Sequence, residues 1–422
     1  MRRLASLLVF CATLGAQLTP EQKQLNTAAF EKVWTTIRDK HWQKNPGGLD
    51  WQAIHEEFRP RIDRAESTDQ ARAIMREMLA RLKETHFSII AASVYGDVGA
   101  MRMGEGSSGI DLRVIDGRAV VTGVDPGSPA EKAGVKPGWA VISVDAKNLE
   151  PAIRTLEADP AVHELTLERA VLARLSGPVG GSIQVAFLKG LDSGVTVMDL
   201  PLATERGQLA KFSNLPPMRV WTEAKRLGST GYLRFNLFLD LVRVMASFSD
   251  TVNSCLHQCD GLIIDLRGNP GGIGGMAMGM AGFLVDKPDQ KLGTMYLRES
   301  SLKFVVNPRA EVFTGPVAIL VDGSSASTSE ILAGGLKDLG RARIIGTRTA
   351  AEALPSVIEK LPNGDGLQYA IANYISDGGQ ALEGNGVIPD EEVQLTREAL
   401  LAGHDAVVDA ALEWIKKQRK SP

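Results

Sequence analysis

Between Gln22 and Leu82, apolar residues recur at helical spacing, with Phe30, Val33, Trp34, Ile37 and Trp42 marking one face. The Asn-Pro-Gly-Gly run at 45–48 interrupts it, Asp50 suits the N-cap of a second helix, and Ser67–Gln70 opens a third. From about 104 to 202 the rhythm shortens to β-like runs at 109–114, 119–124, 140–144, 182–187 and 195–200, with turns between them. From Gly231 onward strand and helix alternate: strand 231–235, helix from Asp240, buried strand 261–267, Met-rich helix 276–285. The theme repeats at 316–340, with a further strand at 343–347 and a closing helix at 405–417. Alternation of this kind predicts a largely parallel α/β core. The pattern as a whole predicts a multi-domain α/β protein. Its parts are a helical region 18–92, a β-rich domain 104–203, a linker 204–228 with a turn at Pro216 and Pro217, and an α/β domain 229–420.

A chain of 422 residues exceeds what one hydrophobic core usually holds, which agrees with several domains. The net charge of −3 comes without a basic stripe, so nucleic acid is not expected as a partner. Arg2 and Arg3 precede the apolar run 4–14, and Gly15 and Ala16 follow. That order reads as a secretory signal peptide over 1–16, too short to span a bilayer, and places the mature chain in the periplasm or outside the cell. Beyond Cys11 two cysteines remain, Cys255 and Cys259, four apart on the expected helix 241–257. The spacing permits either a free buried pair or a disulfide. His257 lies between them, but with no further cluster no metal is expected.

The stretch 316–340 carries the candidate chemistry. A buried strand stops at Gly323, a cluster of small hydroxyl residues follows, and Ile331, Leu332, Leu336 and Leu339 then fall at helical spacing. A serine lifted on a tight turn between strand and helix is exposed to substrate, and the free N–H groups of the helix start can hold an oxyanion. The alternative is plain helix capping by Ser327 or Ser329. Upstream, residues 265–272 read Asp-Leu-Arg-Gly-Asn-Pro-Gly-Gly. The loop lacks a Gly-Lys-Ser/Thr ending and a G-x-G-x-x-G register, so phosphate binding is unsupported. Turning backbone N–H groups toward a reacting carbonyl fits it better.

Residues 124–139, Val-Asp-Pro-Gly-Ser-Pro-Ala-Glu-Lys-Ala-Gly-Val-Lys-Pro-Gly-Trp, resemble the heart of a PDZ domain. The resemblance implies that the loop and strand at Ser108, Gly109 and Ile110 receive a peptide C-terminus by strand addition. Nearly the whole mature chain resembles the C-terminal processing and tail-specific serine peptidases of family S41, which include the core of tricorn protease. The motifs at 265–272 and at 325–330, Ser-Ala-Ser-Thr-Ser-Glu, carry that resemblance. It implies a catalytic core of the ClpP/crotonase-like kind, Ser327 as nucleophile, and oxyanion donors on Thr328 and on Gly271 or Gly272.

One departure matters. Many members use a lysine in a Thr-x-Gly-Lys segment, whereas this chain has Thr349-Ala350-Ala351-Glu352. The tricorn-like branch instead places a histidine after Ser or Thr at the end of the helical region, and a glutamate in a late Glu-x-x-Gly-x-x-Pro-Asp segment. Here those are Thr85-His86 and Glu383, the latter segment ending at Asp390. The resemblance thus implies a serine endopeptidase with His86 as base, oriented by Thr85 or Glu383. It would act on polypeptide tails without a cofactor, and an oligomer is compatible with it. Two other readings stay open: a peptide-binding scaffold whose site has decayed, favoured by the missing lysine, and a binder of small apolar ligands, since related cores occur in retinoid-binding repeats.

Overall fold

The computed structural model of the chain describes residues 18–92, 106–158, 162–191, 194–212 and 217–418, so the expected leader at 1–16 lies outside the described residues. The chain forms two compact units, the first containing 358–369 together with the N-terminal helices.

In the first unit, helices α1 (Pro20–Lys40), α2 (Trp51–Asp63) and α3 (Thr68–Ala80) pack around Phe30, Val33, Ile37, Phe58 and Met75, all buried. Asp50 and Ser67 cap α2 and α3 through their side chains, accepting from Ala53 and Gln70 N–H. Trp34 and Trp51 each donate their indole N–H to the other's carbonyl, which locks α1 to the start of α2. Strand β1 (Ser88–Ile90) pairs antiparallel with residues 366–368. Residues 358–369 were expected in the α/β domain and belong here instead. Their anchor is Asp365, wholly buried, which takes both arms of the Arg72 guanidinium at 2.8 and 2.9 Å. A bidentate pair of that kind holds a hairpin to a helix face in one orientation.

The second unit begins with an antiparallel sheet in the order β2 (Ile110–Ile115), β3 (Arg118–Val124), β4 (Ala140–Val144), β5 (Ser182–Leu188), β6 (Val195–Pro201). These are the short runs the sequence marks. Helix α4 (Glu164–Leu172) goes unmarked, although Leu165, Leu167 and Val171 are buried along it.

The main sheet has six strands in the order β7 (Thr222–Leu227), β8 (Thr230–Phe235), β9 (Gly261–Asp265), β10 (Val317–Val321), β11 (Arg343–Gly346), β12 (Glu391–Glu392). From β8 onward neighbours are parallel, while β7 is antiparallel to β8. The linker expected over 204–228 is therefore strand over its last part. Gly228, at φ 61°, and Ser229 fold the chain back so that β7 pairs along the whole of β8.

Helices α5 (Leu241–Cys255), α6 (Gly274–Ala281) and α7 (Thr328–Asp338) share one core with Ile264, Ile319 and Ile344, while α8 (Ala406–Gln418) packs against Ile263, Leu320 and Ile345. Alternate residues of the parallel strands thus enter two cores, which is why these strands read as unbroken apolar runs. Cys255, the last residue of α5, is joined to Cys259 as a disulfide.

Candidate active site

Strand β10 ends at Val321, and the chain turns through Asp322–Ala326 to Ser327, the N-cap of α7. Ser327 has φ 54° and ψ −114°, a conformation that a side chain disfavours and that persists only where surroundings enforce it. The enforcing contacts are specific. Ser327 N–H donates to Glu352 O and to Glu330 Oε2, each at 2.9 Å. Glu330, fully buried, also accepts from Glu352 N–H at 3.1 Å on Oε2. Its Oε1 accepts from Thr349 Oγ1 at 2.6 Å and Ala351 N–H at 2.9 Å. Burial pushes the Glu330 carboxyl up to about 7, against the pull of these donors. One carboxylate therefore fastens the serine turn to the 349–352 segment. Ser329, the other candidate cap, instead donates its hydroxyl to Asn269 O.

The loop after β9 supplies the facing wall. Asp265 and Arg267 form a buried forked pair, with Tyr232 O–H donating to Asp265 and Arg267 reaching on to Asp405. Burial alone would raise the Asp265 carboxyl, but Arg267 outweighs it and holds the group well below the usual carboxylate range. Asn269 donates to Phe235 O and accepts from Gly271 N–H at 2.9 Å. The Gly271 N–H is thus already engaged, and this corrects its expected place among the oxyanion donors. Gly271 matters instead for its lack of a side chain: a Cβ there would lie 2.8 Å from Ser327 Cβ and 2.7 Å from Thr328 N. Gly272 offers the remaining donor. Its carbonyl accepts from Thr328 Oγ1 at 2.9 Å, its φ is 142°, and a Cβ would meet Phe238 O at 2.2 Å. Among the described residues neither Gly272 N–H nor Thr328 N–H has an acceptor.

The first loop of the serine turn is organised by Asp322. Its Oδ1 accepts from Gly268 N–H at 2.9 Å, Ser324 N–H at 3.1 Å and Ser325 Oγ at 3.2 Å, while Oδ2 accepts from Arg113 Nε at 2.8 Å. Arg113 projects from β2, and Glu168 of α4 lies 3.4 Å from its Nε and accepts from the Ser324 hydroxyl. Leu165 packs with Ala326 and Ala350. The β-rich sheet and the loops after β9 and β10 thus share one wall of a cavity of about 1120 Å³, lined by Ile110, Arg113, Glu168, Gly268, Asp322 and Ser324 among others. In the loop expected to receive a peptide terminus, Gly109 N–H is taken by Ser107 Oγ at 2.9 Å, and the carbonyls of Ser108 and Gly109 accept from Ala130 and Asp125. Asp125 N–H bonds Gly109 O, so Ile110 and Val124 face each other as a wide pair, and Ile110 N–H is directed to the open edge of β2.

Thr85 and His86 belong to the first unit, and Ser327 and Glu383 to the second. His86 has φ 63°, and its Nδ1 lies 2.7 Å from Thr85 Oγ1. Glu383 Oε2 accepts from Ala353 N–H at 3.0 Å. Glu352 stands on the segment joined to Ser327; burial raises its carboxyl, opposed by His163 and Arg169 and assisted by Glu383. Among the described residues no group of three or more His, Cys, Asp or Glu is placed to hold a metal ion.

Sequence reasoning overlooked Glu330, Asp322, Arg113 and Asn269. Glu330 and Asn269 sit inside the two quoted motifs, so their positions carried a signal. Arg113 carried none, because its partner Asp322 lies 209 positions away in sequence.

A strained serine at a strand–turn–helix junction, with free N–H groups beside it on a parallel α/β sheet, defines a serine-hydrolase architecture. Residues 229–393 match the profile of peptidase family S41, and residues 24–80 match the tricorn protease C1 domain. The chain is 27% identical over 398 residues to the carboxyl-terminal-processing protease of Synechocystis sp., covering 89% of this chain and 82% of that one. It is 26% identical to carboxyl-terminal-processing peptidase 3, chloroplastic, of Arabidopsis thaliana, over 91% of this chain and 71% of that one. The solved structure of a photosystem II D1 C-terminal processing protease superposes with TM-score 0.57 at 23% identity, covering 92% of this chain and 99% of that chain. Over residues 229–393 the chain thus matches peptidase family S41, and along most of its length it is similar to carboxyl-terminal-processing proteases. Among the described residues no helix is long and apolar enough to cross a membrane.

Proposed function

We propose that the protein is a tail-specific serine endopeptidase acting in the periplasm or outside the cell, with Ser327 as nucleophile and His86 as general base. The observation that carries this reading is the enforced backbone of Ser327 beside two uncommitted N–H groups, those of Thr328 and Gly272. Ser327 Oγ attacks the peptide carbonyl and its proton passes to His86 Nε2. The carbonyl oxygen, now negative, is received by the two N–H groups. His86 returns the proton to the leaving amine, and water then hydrolyses the acyl-enzyme by the same route. The 2.7 Å contact of Thr85 Oγ1 with His86 Nδ1 suits this role: a hydroxyl accepting from Nδ1–H leaves the Nε2 lone pair for the serine proton. Glu383 supports the charged imidazole. The open edge of β2 at Ile110 receives the substrate tail as an added strand, with the β-rich region acting as a PDZ-like module. Export rests on the Arg2-Arg3 start and the apolar run after it.

A fluorophosphonate probe, with β-casein as substrate, tests the reading. Wild type should label at Ser327 and degrade casein. Ser327→Ala and His86→Ala should both lose turnover nearly completely, since the two act as one unit. Failure of the wild type to label would favour the decayed scaffold, to which the glutamate at 352 points.

A further inference from the structure

His41 directly follows α1, its ring fully shielded from solvent. Gln43 N–H donates to its Nδ1 at 3.0 Å, so the imidazole carries its proton on Nε2. That proton is given to Glu84 Oε2, also at 3.0 Å, and Trp42 Nε1 donates to the same oxygen at 3.3 Å. On the other side the Phe87 ring stacks on His41, with centroids 5.5 Å apart and planes within 17°. Glu84 and Phe87 are the residues on either side of Thr85-His86. The segment from Lys83 to Phe87 is strained twice, with Lys83 at φ 55° and His86 at φ 63°. Non-glycine residues keep such angles only when their neighbours over-determine them, and here the residue after each strained one, Glu84 and Phe87, is held by one imidazole.

We propose that His41 is a positioning residue for His86: its buried ring grips Glu84 by a hydrogen bond and Phe87 by stacking, and so fixes the loop that presents the catalytic imidazole. This rests on His86 being the base. A buried Nε2–H to carboxylate contact is directional, so it sets the path of the chain at Glu84. Without it the loop relaxes toward ordinary φ values and the His86 ring leaves its place. Misplacement of about 1 Å at a proton acceptor costs on the order of 100-fold in rate.

The test uses the full chain, with kcat and KM on β-casein, fluorophosphonate labelling of Ser327, and thermal unfolding. His41→Phe keeps the ring for Phe87 and removes both hydrogen bonds. Its kcat and labelling rate should fall about 10- to 100-fold with KM changed less than about twofold. His41→Gln, whose amide can still donate to Glu84, should regain most of the loss. Glu84→Ala should reproduce the His41→Phe defect, and it carries the test if His41→Phe does not fold. In a His86→Ala background, His41→Phe should add nothing. Wild-type kcat in both His41→Phe and Glu84→Ala, with His86→Ala inactive, would overturn the positioning role alone. An active His86→Ala enzyme would overturn the base assignment and the inference with it.

Discussion

Arg113 Nε donates to Asp322 Oδ2 at 2.8 Å, joining a strand of the β-rich sheet to the loop that leads into Ser327. The contact is buried, with the Arg113 side chain 8% exposed and Asp322 11%. Through its other oxygen Asp322 holds the N–H groups of Gly268 and Ser324, so one arginine steadies the roots of both loops that meet at Ser327.

Arg113→Met should therefore cost both stability and turnover. Removing one partner of a buried pair leaves the other charge stranded, at about 3–5 kcal/mol. Asp322→Asn in the same chain removes that charge, so the double variant should unfold at a higher temperature than Arg113→Met alone. Calorimetry on the wild type and the two variants checks the order; a double variant less stable than the single would show that the charge is not what matters.

Glu330→Gln is the sharper probe of the serine turn. Every contact Glu330 makes is as an acceptor, and an amide must turn its NH2 toward at least one of those donors. Released from Glu330, Ser327 can leave φ 54° for a common conformation. Turnover should fall by about 100-fold while the circular dichroism spectrum is kept. Glu330→Asp should not rescue it, because the shorter side chain cannot span the same four donors.

The elements legible in the sequence are those whose signal is local. The caps Asp50 and Ser67, the run 317–321 and the helix behind Ser327 each announce themselves within a few residues. The parallel core was legible because both its faces are covered, which makes β9 and β10 continuous apolar runs. Misreadings arose where distant pairing decides. Residues 222–227 are polar enough to pass for a linker, yet β8 offers them a full ladder. Residues 358–369 join the helical unit because Arg72, 293 positions away, grips Asp365. The choice between Gly271 and Gly272 was illegible for a similar reason: it depends on where the Asn269 side chain points.

Gly271 and Gly272 predict separable defects. Gly271→Ala would press a methyl on Ser327 Cβ at 2.8 Å and displace the proposed nucleophile, whereas Gly272→Ala would strike Phe238 O at 2.2 Å and swing the proposed oxyanion donor away. Each should lower kcat by about 100-fold or more. Gly275→Ala, where an added Cβ meets nothing within 4 Å, is the control and should stay within a few-fold of wild type. The two differ in labelling. Gly271→Ala should slow the fluorophosphonate reaction most, since that reaction needs the serine in place. Equal, mild effects at all three positions would remove the loop from the site.

The pH dependence of stability follows from the acids packed on the serine turn. Burial raises Glu164 to about 7, with the charge of Asp322 adding and Arg113 opposing. Burial likewise raises Glu168 to about 8, opposed by Arg113, with Asp322 and Glu164 pushing the same way and the Ser324 hydroxyl pulling down. Both lie above the ordinary 4.5, so between those values the folded chain holds protons that the unfolded chain has released. Their contribution is complete below about 4.5 and is lost as pH rises through 7 to 8. Asp111, whose burial is outweighed by Arg113 and Arg234, is held at about 2 and so adds no slope in that window above the ordinary carboxylate range. Glu168→Gln keeps an acceptor for Ser324 and cannot titrate. Its melting temperature should therefore fall less between pH 5 and pH 8 than that of the wild type, by about 3 °C or more. Parallel slopes for the two proteins would mean that Glu168 is charged throughout, stabilised by Arg113 more than burial opposes it.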